Sequence, residues 1–246
     1  MTESKAMEFF EIIHRISSPG FASSGVVNAL SNAWYRVAPG EFPRHFRAVR
    51  PYTMSSAARL RTLHEATKHV VSANIAGDIV ECGTAKGGSA ALLALALDAS
   101  GSDRLLWIFD TFEGMPEPSA NDPDLHLAEK YVGTCRGTIE EVTTLFRELD
   151  VLQRTRMVKG MFQDTLSAAP IERIALLHID GDWYDSVKAC LQHFYDRVSP
   201  GGIVQIDDYG YWEGARKAVD DFFTQRGVAL PALRHIDYAG RQFVKS

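Results

Sequence analysis

Cysteine is scarce in this chain. Cys82, Cys135 and Cys190 are the three in 246 residues. Their number is odd and none share a Cys-x-x-Cys spacing, which excludes a disulfide framework and a cysteine zinc site and fits a reducing, cytoplasmic setting. Positive charge is also short: 26 Lys and Arg face 31 Asp and Glu, a net charge of −5. That balance offers no field for holding nucleic acid or an anionic membrane. The longest apolar run, Ala90 to Leu97, is too short to span a bilayer. The opening residues, MTESKAMEFFEIIHR, have no signal-peptide core. There is no internal repeat or low-complexity tract, no GxGxxG and no GxxxxGK[ST] phosphate loop. What remains is 46% hydrophobic and 23% charged, enough core for one α/β domain with additions.

The most informative stretch is Ile174 to Tyr211, IALLHIDGDWYDSVKACLQHFYDRVSPGGIVQIDDYGY. Two apolar runs of strand length stop at carboxylates. Ile174–Ile179 ends at Asp180-Gly181-Asp182, and Gly202–Ile206 ends at Asp207-Asp208. Between them a helical pattern puts Val187, Leu191, Phe194 and Val198 on one face, closed by Ser199-Pro200-Gly201-Gly202. This is a β-α-β unit, whose strands run parallel with a right-handed crossover. Both acidic clusters then reach the C-terminal edge of one sheet, where α/β folds bind ligands. Carboxylates crowded there repel unless a cation lies between them, and Mg²⁺ with its oxygen ligands is the simplest candidate for Asp180, Asp207 and Asp208.

Before the first strand, residues 1–76 read as a helical cap or lid, and residues 77–246 as the catalytic unit. Phe9, Ile12, Ile13 and Ile16 mark one amphipathic helix, and Val26, Val27, Leu30 and Trp34 a second. Pro39 to Pro51 reads as a loop. Ser55 to Asn74 reads as a long helix with Leu60, Leu63, Ala66, Thr67, Val70 and Val71 inward.

Asp78–Cys82 is a short strand running into the glycine turn Gly83-Thr84-Ala85-Lys86-Gly87-Gly88-Ser89 and then a buried helix, the opening of a nucleotide-binding half. The next strand, Arg104 to Phe109, ends at Asp110, an acid placed for ribose hydroxyls together with Glu81. Thr111 to Gly137 is long and irregular, as a lid would be. Thr138-Ile139-Glu140-Glu141 matches a capping box for a helix from Ile139 to Leu149. Arg156–Lys159 is a third strand, followed by the Gly160–Gln163 loop, where Phe162 and Gln163 stand ready for a purine base. After Asp208, a helix spans Glu213 to Arg226, and Ala232–Asp237 with Arg241–Lys245 forms a hairpin. Trp183, Tyr184, Tyr209, Tyr211 and Trp212 cluster near the carboxylates and suit a sugar ring.

Taken together, six segments resemble the macrocin O-methyltransferase family of class I S-adenosylmethionine-dependent sugar O-methyltransferases. They are Tyr52–Met54 (YTM), Asp78–Ser89 (DIVECGTAKGGS), Ile108–Pro118 (IFDTFEGMPEP), Val158–Leu166 (VKGMFQDTL), His178–Ser186 (HIDGDWYDS) and Pro200–Gly210 (PGGIVQIDDYG). The resemblance implies an α/β, Rossmann-like fold with a seven-stranded, mostly parallel sheet of order 3-2-1-4-5-7-6 and an antiparallel C-terminal hairpin. It implies S-adenosylmethionine and Mg²⁺ as cofactors, a small-molecule glycoside as acceptor, and a homodimer or higher homo-oligomer. By motif position it assigns Asp180, Asp207 and Asp208 to the metal. It assigns Tyr52, Thr53, Met54, Glu81, Gly83, Thr84, Lys86, Ser89, Asp110, Thr111, Phe112, Gly160, Phe162, Gln163 and Asp180 to the cofactor. Asp180 is the expected base, with Asp182 the alternative. His178 reads as a buried structural residue, and Trp183 as a residue shaping the acceptor pocket. The competing reading takes Asp180-Gly181-Asp182 as the DxD of a metal-dependent glycosyltransferase, which leaves Asp207, Asp208 and Asp110 idle.

Overall fold

The computed structural model describes residues 25–246; the helix expected over Phe9–Ile16 lies outside them. A seven-stranded sheet of order β3-β2-β1-β4-β5-β7-β6 runs through the molecule. Its strands are β1 (Asp78–Cys82), β2 (Leu106–Asp110), β3 (Thr155–Lys159), β4 (Ile174–Ile179), β5 (Val198–Ile206), β6 (Arg234–His235) and β7 (Arg241–Val244). The first five are parallel, while β7 pairs antiparallel with β5 and with β6. Every residue of β4 is buried, as expected of a central strand covered on both faces.

Register puts the acidic clusters together. Cys82 pairs with Ile179, and Ile179 with Ile206, so the three strands end level. The chain continues in step past the strand ends: Asp180 N–H donates to Cys82 O at 2.8 Å and Asp207 N–H to Ile179 O at 2.9 Å. Gly83, Asp180 and Asp207 are thereby neighbours at one sheet edge.

Helices cover both faces. On one, Phe46, Val49, Leu60 and Leu63 of the N-terminal helices share a core with Ile79, Leu92 and Leu176. On the other, Val187, Phe194, Val219 and Phe223 pack with Val80, Leu177 and Val204. The crossover helix is Tyr184–Phe194, and β5 already begins at Val198, which therefore belongs to the strand rather than the helix face.

One expectation fails in the cap. Pro39–Pro51 is not a loop, because Glu41–Val49 is helical and Arg50–Tyr52 a 3₁₀ turn. Pro43 falls in the first helical turn, where a missing N–H leaves no bond unmade, and Phe46 and Val49 bury fully. The Gly25–Val37 and Ala57–Ser72 helices match the expected ones closely.

The Thr111–Gly137 excursion stays irregular apart from Leu125–Ala128 and a 3₁₀ turn. It is nevertheless tied to the body at helix N-termini. Asp122 Oδ1 accepts the Tyr184 N–H at 2.7 Å, Asp124 Oδ2 accepts the Glu213 N–H at 3.3 Å, and Trp183 Nε1 donates to Pro116 O at 2.8 Å. Carboxylates there meet free N–H groups and the positive end of the helix dipole. The capping box at Thr138 and Glu141 forms with both of its hydrogen bonds.

Candidate active site

A cleft of about 300 Å³ opens at the C-terminal edge of the sheet. Its floor at one end is the glycine turn. Gly83 has φ +89° and a Cβ there would overlap the Asp180 carbonyl, so β1 and β4 close up only around glycine. At Gly88 a Cβ would stand 2.6 Å from Tyr52 O, which seats the Tyr52–Ser55 segment against the start of the Gly88–Ala99 helix. Thr53, Met54, Gly83, Thr84 and Ser89 line this end, with Asp110, Thr111, Met161 and Phe162 beside them. Asp110 holds the turn in shape: its Oδ2 accepts the Thr84 and Ala85 N–H groups at 2.7 and 3.2 Å, and its Oδ1 the Phe112 N–H at 2.7 Å. Burial pushes its pKa up, and these N–H bonds partly offset that. Thr84 Oγ1 is buried without a partner, a free hydroxyl for a ligand.

At the inner end stand Asp180, Asp182 and Asp208, each offering an oxygen within 4.8 Å of the others. All three line the cleft. Asp182 has a left-handed backbone (φ 55°), and its Oδ1 accepts the Trp212 indole N–H at 2.9 Å. Asp208 Oδ2 is buried with no partner. Burial pushes all three carboxyls up, Asp208 to about 6, and crowding by neighbouring carboxylates adds to it. Clustered, buried oxygens that hold their protons this tightly fit the donor set of a hard divalent cation, which would stabilise the ionised forms.

Asp207, expected as a metal ligand, has an oxygen within 4.8 Å of ligand atoms of Asp180 and His178. Its Oδ1 accepts from His178 Nε2 and Gln205 Nε2 at 3.1 and 3.2 Å, and its Oδ2 from Ser55 Oγ and Arg59 Nη1 at 3.1 and 2.7 Å. Held by these donors and fully buried, it does not line the cleft, whereas Asp182 does. Burial alone would raise its pKa; Arg59 and His178 override that and hold it below the usual carboxylate range.

Glu81, expected at a ribose, is fully buried; its Oε1 lies 2.8 Å from His178 Nδ1, while its Oε2 is buried without a partner. His178 joins Glu81 to Asp207, and although burial opposes its charge, these two acids raise its pKa to about 10. The result is an imidazolium strut between two carboxylates, a structural role as expected.

Five other residues expected at the cofactor do not line this cleft. Lys86 and Gln163 are exposed, Gln163 on an outer groove with Asp185 and Lys188. Phe112 is packed in the core at 2% exposure, and Tyr52 and Gly160 do not line the cleft. Trp183 is buried beneath the site, edge-on to Trp212 at 4.9 Å, because its N–H is committed to the lid. The aromatic wall is formed by Tyr131, Tyr211, Trp212 and Tyr238, each ring edge-on to the next at 4.9 to 5.9 Å.

Arg59 was not anticipated. It lines the cleft, and its Nε bonds Asp237 Oδ2 at 3.1 Å while Nη1 bonds Asp207. The available signal was a cation in phase with Leu63, Ala66 and Val70, on the apolar face of its helix. Asp237 lay in the tail, with nothing local to mark it.

The comparisons with known proteins point to one family and one fold. The macrocin-O-methyltransferase family profile matches residues 29–245. A 4'-O-methyltransferase of Streptomyces olivaceus, named for 8-demethyl-8-(2,3-dimethoxy-alpha-L-rhamnosyl)-tetracenomycin C, is 36% identical over 195 residues, 77% of this chain and 74% of its own. The demethyldecarbamoylnovobiocin O-methyltransferase of Streptomyces niveus is 34% identical over 184 residues, covering 72% and 70%. Among solved structures, the O-methyltransferase NovP superposes with a TM-score of 0.74 at 33% identity, over 79% of this chain and 82% of that one.

Proposed function

The chain belongs to the macrocin-O-methyltransferase family, and from that premise we propose that it methylates a sugar hydroxyl of a glycosylated natural product at the Asp180–Asp182–Asp208 end of the cleft. It is an S-adenosylmethionine-dependent O-methyltransferase. One relative is named for a rhamnosyl-tetracenomycin and another for demethyldecarbamoylnovobiocin, which supports a glycosylated natural product as acceptor here. The observation that carries the reading is the placement of three carboxylates between a glycine turn on one side and four aromatic rings on the other.

When bound, S-adenosylmethionine supplies the electrophilic methyl and Mg²⁺ lowers the pKa of the acceptor hydroxyl. The chain's own residues do the rest. Asp180 and Asp208 would hold the cation, the unpartnered Asp208 Oδ2 being its most available ligand. Asp182 takes the hydroxyl proton: Trp212 fixes one of its oxygens, and burial makes the group a stronger base than an exposed carboxylate. Gly83, Thr84, Asp110 and Phe162 would hold the cofactor. Tyr131, Tyr211, Trp212 and Tyr238 give the sugar apolar faces on which to stack. Arg59 and His178 keep Asp207 ionised and still behind the site. The DxD reading falls with family membership, since Asp180-Gly181-Asp182 sits at the end of the fourth strand of a methyltransferase sheet. A cytoplasmic homo-oligomer completes the proposal.

The test is label transfer from methyl-labelled S-adenosylmethionine to a panel of deoxysugar glycosides, with Mg²⁺ or EDTA. We expect labelled glycoside only with the cation present. Transfer at full rate in EDTA would remove the cation from the proposal, and no transfer to any glycoside in the panel would remove the acceptor class.

A further inference from the structure

Outside the cleft lining, Glu41, His45 and His64 bring three possible ligand atoms within 4.8 Å of one another. Glu41 and His45 are one turn apart on the Glu41–Val49 helix, so they share a face. His64 meets them from the Ala57–Ser72 helix. Both histidines are 4% exposed.

Their nitrogens are oddly placed for ordinary core histidines. His64 Nε2 is 3.3 Å from Glu41 Oε1, yet it makes no hydrogen bond. The two atoms are close without being aimed at each other. His45 Nδ1 is also buried without a partner, while its Nε2 faces Arg44 Nη2 at 3.4 Å. Buried polar atoms almost always have partners. Two orphans in one cluster point to a missing one. Ligands that converge on a shared third body behave in this way, and a tetrahedral cation with arms of about 2.0 Å sets its ligands about 3.3 Å apart.

We propose that Glu41, His45 and His64 bind a divalent cation of the zinc class, with three protein ligands and a fourth position open to water. Imidazole pairs with one carboxylate are a donor set for zinc rather than for magnesium. Burial keeps both rings neutral, His64 down to about 4, so their lone pairs are free at neutral pH. Glu41 is only partly buried, which leaves an approach from solvent. Lys68 Nζ holds Glu41 Oε1 at 2.6 Å in this state; its side chain is 43% exposed and swings away at little cost. Bound there, the cation clamps the Glu41–Val49 helix to the helix whose first turn carries Arg59 and so steadies one wall of the cleft.

The full-length chain is titrated with Co²⁺ in excess Mg²⁺ and followed in the visible. We expect the intense bands of tetrahedral Co²⁺ at one equivalent, bleached by equimolar Zn²⁺. His64→Gln and His45→Gln should lose the bands while methyl transfer with Mg²⁺ stays within about twofold, and Asp208→Asn should keep them. No bands in the unaltered chain, bands surviving both histidine variants, or bands lost in Asp208→Asn would each overturn the proposal. Should the histidine variants not fold, Lys68→Gln at the surface serves. Freeing Glu41 should tighten Co²⁺ binding roughly tenfold, and unchanged or weaker binding would refute the site.

Discussion

Arg59 Nη1 lies 2.7 Å from Asp207 Oδ2, across 148 residues of chain, and the same guanidinium reaches Asp237 Oδ2 at 3.1 Å. One cation from the cap thus faces two buried acids, one just past β5 and one in the turn before β7. Removing it leaves Asp207 with His178 as its remaining cation and takes the ion pair from Asp237. Arg59→Met should cost about 3–5 kcal/mol of stability, read from urea denaturation. A loss under about 1 kcal/mol would mean that water reaches and screens the pair.

Asp182 and Trp212 make a second testable couple. Asp182→Asn removes the base but keeps the hydrogen bond from the indole. Turnover should fall by roughly 10²–10⁴-fold, with S-adenosylhomocysteine still raising the melting temperature. Trp212→Phe should give a smaller loss in kcat with the cofactor KM unmoved, since the ring stays and only the N–H goes. Equal, near-normal rates in both variants would pass the role of base to Asp180.

The pH dependence follows from the carboxylate cluster. Asp208 is held up to about 6, and Asp180 and Asp182 are raised as well. Raised carboxyls stabilise the fold when protonated, so that contribution is present at low pH and is lost as pH rises through about 6. His178 is raised from 6.5 to about 10, so its contribution is full below about 6.5 and is lost progressively as the pH rises to about 10. Between pH 5 and 7.5 both effects run the same way, the aspartates at the acid end and His178 above 6.5. In EDTA the melting temperature should drop across that range. Mg²⁺ competes with the same protons, so its stabilising shift should be larger at pH 7.5 than at pH 5. Asp208→Asn should flatten the difference; an equal shift at both pH values would break the link between cation and cluster.

Gly83 offers a backbone test. Its φ of +89° and its contact with the Asp180 carbonyl leave no room for Cβ. The positive φ alone costs a non-glycine residue about 1–3 kcal/mol, and overlap adds to it. Gly83→Ala should lower stability and weaken S-adenosylhomocysteine binding at least tenfold in calorimetry. Normal affinity would show that the strand ends move apart at no cost.

Much of this protein is local in its chain. The β-α-β unit, the acids at its strand ends, the glycine turn and the Thr138 capping box are periodicities and short motifs, and six segments were enough to indicate the family and its strand order. A carboxylate after an apolar run can be placed at a sheet edge from sequence alone, because a parallel strand always delivers its C-terminus there. The direction in which that carboxylate turns cannot, because it depends on partners that fold in from elsewhere. Asp207 and Asp208 are adjacent, yet Ser55, Arg59 and His178 draw Asp207 inward while Asp208 is left facing the cleft. Glu81 is claimed by His178 in the same way, 97 residues on. Trp212 lines the cleft while Trp183 does not, because the Thr111–Gly137 segment takes the Trp183 N–H. Sequence determined which groups arrive at the site; the long-range hydrogen bonds of the tertiary structure decided which of them face the cleft and which stay buried behind it.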